Sequence, residues 1–289
     1  MKKKRLARII VILIAVVGVA LILYPTVSDY LSNLAYSRAI KNFQSTVEKL
    51  DPVTYDQTLE RARAYNRRKA EKGTGFSAEL SDEERADYLS QLDVAGTGIM
   101  GYIEILSLNI LLPIYHGTAD SVLQIGVGHI EGSFLPVGGE STHAVLSGHT
   151  GLPSSKLFTD IERLKIGDIF VITVMNEKLT YEVDQILIVL PHETEPLSAV
   201  EGQDYCTLVT CTPYGINTHR LLVRGRRVET PVEDAEPVQP DMTQEVALPQ
   251  PEPRRNDHLV IVGVAAVCLA AVTLIAVTMK RSRPEKDER

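Results

Sequence analysis

Two unbroken apolar runs, Ile9 to Tyr24 and Leu259 to Met279, flank a middle whose apolar residues come in short bursts. The second run can cross a hydrocarbon core of ~30 Å at ~1.5 Å per helical residue. Lys280-Arg281-Ser282-Arg283 comes directly after it and reads as a stop-transfer signal. The first run stands after the basic start MKKKRLAR and is short for a span, which needs ~20 residues. It fits a cleaved signal peptide or an uncleaved anchor. No small-x-small cleavage site stands directly before Tyr24-Pro25, which favours the anchor. Either way, the middle of the chain is exported. The positive-inside rule puts both termini in the cytoplasm and the middle outside the cell membrane.

Between the runs the pattern changes three times. Leu31, Leu34, Ala35 and Ala39 repeat at three and four, as do Tyr55, Leu59, Ala62 and Tyr65-Asn66 after an Asp51-Pro52 start signal. These predict helices beside the main domain. Glu71 to Gly98 is polar, opens on Gly73-Thr74-Gly75 and closes on Gly96-Thr97-Gly98. A mobile flap fits this segment, and an ordinary surface excursion fits it too. From Met100 onward short apolar runs alternate with Gly/Pro turns. Strands are expected at 101–105, 110–114, 142–146, 168–174, 179–190, 205–210 and 220–228, with one helical turn at 121–125. That texture predicts a mainly β domain, a barrel or a sandwich. Glu229 to Asp257 is Pro-rich and acidic, has too few large apolar residues to fold, and reads as a linker.

Composition changes this picture only at the edges. The chain has 289 residues, 44% of them hydrophobic, and a net charge of −7. That allows one ordinary domain with a real core and gives no basic footprint for nucleic acid. Three cysteines do not make a disulfide scaffold. Cys206 and Cys211 stand an odd offset apart, so on one strand they point to opposite faces. At least one free thiol outside the membrane is expected.

The candidate chemistry lies in Asp204 to Arg227, DYCTLVTCTPYGINTHRLLVRGRR. Two strands joined by the turn-rich Thr212 to Asn217 would return antiparallel and bring Cys211 and Arg220 to one sheet end. A thiol beside a permanent cation is a usable arrangement for acyl transfer once a proton carrier is present. His149, in Ser147-Gly148-His149-Thr150-Gly151, is the first choice among seven histidines, and His129 the runner-up. Arg220 would steady an oxyanion or orient the substrate. Taken alone, a cysteine at a strand end is more often a small apolar residue, and the bland reading of Arg220 is a surface arginine on a basic strand. A zinc site from His129, His143, His149 and the cysteines lacks CxxC or HExxH spacing, and no cofactor is expected.

Thr207 to Gly225, TLVTCTPYGINTHRLLVRG, resembles the signature of class C, pilus-assembling sortases. Gly101 to Ile105, Leu112 to Gly117 and Ser147 to Pro153 match that family in order. The resemblance covers Met100 to Arg227. It implies an eight-stranded sortase-type β-barrel with N-terminal helices and two flanking membrane segments. It implies His149, Cys211 and Arg220 as the catalytic set of a cysteine transpeptidase. Such an enzyme cleaves an LPXTG-like sorting signal between Thr and Gly and joins the pilin to a Lys amine of the next. The partners implied are pilin subunits and the membrane, with no nucleic acid. A housekeeping sortase that anchors proteins to the cell wall, and a non-catalytic pilin-presenting scaffold, are the alternatives. Class C enzymes often carry a lid with an Asp-Pro-aromatic motif. Gly73 to Asp93 occupies that place without the triplet, which leaves Phe76 and Asp82 as candidate plugs. The expected map is an anchor at 1–26, helices at 27–72, a lid at 73–98 and the catalytic barrel at 99–229. A linker at 230–257, a membrane helix at 258–280 and a basic tail at 281–289 complete it.

Overall fold

A computed structural model describes residues 2–73, 75–76 and 80–230, with side chains from residue 9 onward. The expected linker, second membrane helix and tail lie outside the described residues, apart from Thr230. The chain divides into two units, 1–24 with 236–289 and 25–235.

The described part of the first unit is helical, and apolar from Ile9 onward. It belongs to α1 (Lys2–Glu48), and the helix from Ile9 is long and apolar enough to cross a membrane. The expected anchor and the first expected helix are thus parts of one helix, with Pro25 inside it.

In the second unit, helices frame a closed barrel. The end of α1 buries Tyr36, Ile40, Phe43 and Val47, a stripe at helical spacing. α2 (Pro52–Lys72) starts where Asp51-Pro52 predicts. The Asp51 carboxylate accepts the Thr54 N–H at 3.0 Å, and proline at the first position loses no helical bond. Leu59, Ala62 and Tyr65 face inward, and Asn66 exchanges two hydrogen bonds with the backbone of Leu135. α3 (Asp82–Leu89) has the Ser81/Glu84 capping box. Hydrogen bonds from Lys72 and then Ser81 pull the Glu84 carboxyl down to about 2.

Eight strands make up the barrel: β1 (Ile99–Ile105), β2 (Ile110–His116), β3 (Val127–His129), β4 (Thr142–Ser147), β5 (Ile169–Val174), β6 (Glu177–Val189), β7 (Asp204–Thr212) and β8 (His219–Val228). A short α4 (Asp120–Leu123) precedes β3. The barrel closes in the order β1-β2-β3-β4-β7-β8-β6-β5. Seven strands and the helical turn match expectation. β3 escaped it because a three-residue strand holding Gly128 and His129 has no apolar alternation to read.

Alternation along the strands sorts two apolar clusters. Ala144, Leu146, Cys206, Leu208, Leu221 and Val223 point into the main core with Ile103, Phe170 and Tyr181. Their neighbours Val145, Val209 and Leu222 point the other way and form a second cluster with Leu197. The sheet is built from both faces, and the second face leads to the candidate site.

Candidate active site

Cys211 and Arg220 are direct cross-strand partners in the antiparallel β7–β8 pair. Opposed residues of such a pair share a face at Cβ separations of roughly 5 Å. Both side chains are half-buried. The turn between them, Thr212 to Thr218, is held by the Ile216 and Asn217 N–H groups donating to the Pro213 carbonyl at 3.0 and 2.9 Å. Arg220 Nη1 donates to the carbonyls of Asn217 and His219 at 3.2 and 3.1 Å, which fixes the head at this strand end. A guanidinium has five N–H donors, so these bonds do not exhaust it.

His149 arrives by the parallel pairing of β4 with β7. Ser147 is opposite Val209, and the Gly148 N–H donates to the Val209 carbonyl at 3.0 Å. Thr210 Oγ1 returns a bond to the Gly148 carbonyl at 2.7 Å. His149 follows two residues after the last β4–β7 partner pair, Ser147 and Val209, at the sheet end where Cys211 stands two residues after Val209. Gly148 is required there, because a Cβ would stand 2.7 Å from the Phe158 ring. The three residues read from the sequence therefore converge on one end of β4, β7 and β8.

Other histidines have other duties. His143 is buried, with Nδ1 on the Ser198 carbonyl at 3.0 Å and Nε2 on the Thr207 hydroxyl at 2.7 Å. His129, the runner-up, is fully buried between Tyr88 and the Phe134 carbonyl. Burial lowers each to about 4, so both stay neutral at pH 7. His116 is buried with both ring nitrogens on backbone carbonyls. His192 is exposed and His219 contacts the Thr218 hydroxyl. His258 lies outside the described residues. Among the described residues no group of three or more His, Cys, Asp or Glu is arranged to hold a metal ion.

The apolar face beside the thiol is a feature that the sequence reading missed. Val209 lies two residues before Cys211 and Leu222 two residues after Arg220, each ~7 Å away on the same face. With Val145 and Leu197 they make a continuous floor. Period-two counting outward from Cys211 and Arg220 would have found it. Phe76 packs on this floor, and its N–H meets Ser198 Oγ at 3.4 Å. Asp82, the other candidate plug, is exposed at the start of α3. Two cavities, of about 530 and 510 Å³, contain none of Cys211, His149 or Arg220.

Residues 103–228 match the sortase domain family. Sortase C1 of Streptococcus agalactiae is 52% identical, with a TM-score of 0.65 over 67% of this chain and 99% of that one. Sortase C of Streptococcus pneumoniae is 41% identical, with a TM-score of 0.60 over 67% and 97%. Sortase A of Streptococcus agalactiae serotype III is 27% identical over 225 residues, covering 77% of this chain and 84% of its own. The chain belongs to the sortase family, a family of cysteine transpeptidases.

Proposed function

We propose that this sortase is a membrane-anchored, pilus-assembling enzyme of class C. The reading rests on the cross-strand pair of Cys211 and Arg220, and His149, two residues past the end of the β4–β7 pairing at the same end of the sheet, supports it. The likeness to sortase C1 of Streptococcus agalactiae supports the class. The helix from Ile9 supports the anchor, and the apolar run Leu259 to Met279 would be a second one.

The substrate is a secreted pilin with an LPXTG-like signal. Its apolar residue lies on the Val145, Val209 and Leu222 floor, and its Thr carbonyl reaches the thiol. The Cys211 sulfur, as thiolate, bonds to that carbonyl carbon. Negative charge gathers on the oxygen, where the Arg220 guanidinium is placed to receive it. The C–N bond to Gly breaks, and His149 as imidazolium gives the leaving amine its proton. The thioester then meets a Lys amine of the next pilin. The new C–N bond forms, the C–S bond breaks, and His149 takes the proton that the amine sheds. An isopeptide results and the thiolate is restored. Aminolysis must outrun hydrolysis, so the groove has to limit water at the thioester.

The test is mass spectrometry of the protein with an LPXTG peptide. An adduct bonded through Cys211, absent from Cys211→Ala and released by an added amine, is the expected result. A peptide that binds without any covalent adduct would instead favour the pilin-presenting scaffold.

A further inference from the structure

The second unit uses its first helix to hold the loop that begins at His149. Asp29, Ser32 and Tyr36 stand at i, i+3 and i+7 on α1, hence on one face. The Asp29 carboxylate accepts the Lys156 N–H at 2.9 Å. Ser32 Oγ donates to the Ser154 carbonyl at 3.1 Å, and the Tyr36 hydroxyl donates to Ser155 Oγ at 2.8 Å. Tyr36 and Ser155 are buried, at 4% and 3% exposure, so their bond is made out of reach of water. Asn33 Nδ2 reaches the second Asp29 oxygen at 3.5 Å and helps to aim it.

What these residues hold is a loop closed back on His149. The Phe158 N–H donates to the His149 carbonyl at 3.1 Å. The Gly151 N–H donates to Thr159 Oγ1 at 3.0 Å. Leu157 and Phe158 are sunk in the core, and the Phe158 ring lies against Gly148. His149 is thus fixed from one side by β7, through Gly148, and from the other by this loop. Among the described residues, the other hydrogen bond that supports Ser154 to Lys156 runs from the Thr159 N–H to the Lys156 carbonyl, at 2.7 Å. The helix supplies the rest.

We propose that Asp29, Ser32 and Tyr36 are positioning residues for catalysis. By clamping Ser154 to Lys156 they set where the His149 imidazole stands relative to Cys211. The proposal rests on the reading of His149 as the proton carrier. Misplacing a reacting group by ~1 Å can cost on the order of 10²-fold in rate, so a remote clamp of this kind is visible in turnover.

The experiment uses the full-length protein in detergent with a fluorogenic LPXTG peptide. Asp29→Ala, and Tyr36→Phe paired with Ser155→Ala so that no buried hydroxyl is left alone, should each lower kcat by about tenfold with KM held within about twofold. The limb of the pH–rate profile that belongs to the imidazole should move with them. Asp29→Asn keeps an acceptor for the Lys156 N–H and should restore most of the rate. An unchanged kcat and pH profile would overturn the proposal. So would a loss of rate matched by a loss of folded protein, or an Asp29→Asn variant as poor as Asp29→Ala. His149→Ala separates the two layers. If it turns over normally, the reading of His149 falls and the clamp with it. If it is inactive while the clamp variants are normal, only the clamp falls.

Discussion

Cys206 and Cys211 lie on the same strand, yet they are different chemical objects. Cys206 points into the barrel, is fully buried, and packs with Leu208 and Val223. Burial pushes its thiol well above the ordinary range, with the Asp204 charge acting in the same direction. Cys211 points to the other face at the end of the strand, half-exposed, with Arg220 opposite. The histidines divide the same way. His129 and His143 are sealed in and neutral, while His149 stands half-exposed at the open end. Inside, the thiol of Cys206 is a packing piece and the imidazoles of His129 and His143 are neutral with both ring nitrogens engaged. At the strand end such groups are available for chemistry. The odd offset between the cysteines makes this division, because strand alternation reverses the face at every residue.

The widest gap between the two regions should appear in thiol modification. With a small alkylating reagent at neutral pH, peptide mapping should find Cys211 labelled in the native protein. Cys206 should label at least ~10³-fold more slowly, since reagent reaches it only through opening of the barrel. Denaturant should erase the difference. If Cys206 labels at a rate comparable to Cys211 in the native state, the barrel opens there and the contrast fails.

Much of this division is legible in the sequence, and the limits of legibility have physical causes. The β7–β8 hairpin announces itself through β-formers around a turn of Thr, Pro, Gly and Asn, and pairing Cys211 with Arg220 needs only the hairpin register. The Asp51-Pro52 cap is a local signal and was readable for that reason, whereas the Ser81/Glu84 box, equally local, went unread. β3 was invisible because its place is set by partners: it lies parallel to β2 and antiparallel to β4, with no pattern of its own. The position of Phe76 was equally hidden, since nothing local aims it at a floor built from β4, β7 and β8. The clamp by Asp29, Ser32 and Tyr36 joins residues more than a hundred positions apart, which no window along the chain contains. His149 was chosen over His129 for its glycines. Both residues have glycine neighbours, and it is burial that separates them.

Acid should attack the sealed region before the open one. His129 and His143 titrate near 4 when folded and near 6.5 when unfolded. Between those values the unfolded chain binds more protons, so stability falls as pH drops. The contribution is complete above pH 6.5 and gone near pH 4. A shift of this size corresponds to roughly 3 kcal/mol per group. Asp204 works in the opposite sense. Burial raises its pKa, so the folded state takes up that proton first and offsets part of the loss at the acid end. Denaturant titrations from pH 7 to pH 4 should therefore give a falling midpoint, and His143→Gln should flatten the slope by about half. A flat profile in the parent protein would mean that these imidazoles are not sealed.

The smallest effect is expected at the open end, where Phe76 lies on the floor that leads to Cys211. Its hold is light. The ring is only partly buried, and the bond from its N–H to Ser198 Oγ is long at 3.4 Å. On the proposed function, a substrate residue bound on Val145, Val209 and Leu222 would have to displace it, and the ring would then act as a weak competitor built into the chain. Phe76→Ala removes that competitor and should lower KM for an LPXTG peptide by a few-fold while leaving kcat unchanged. The thiol, the imidazole and the guanidinium are all untouched by the change. Asp82→Ala, at the exposed start of α3, should alter neither constant. If Phe76→Ala instead raises KM, the ring is part of the substrate's binding surface rather than a cover over it. An unchanged KM would mean that peptide reaches Cys211 by a path that does not cross the Val145, Val209 and Leu222 floor.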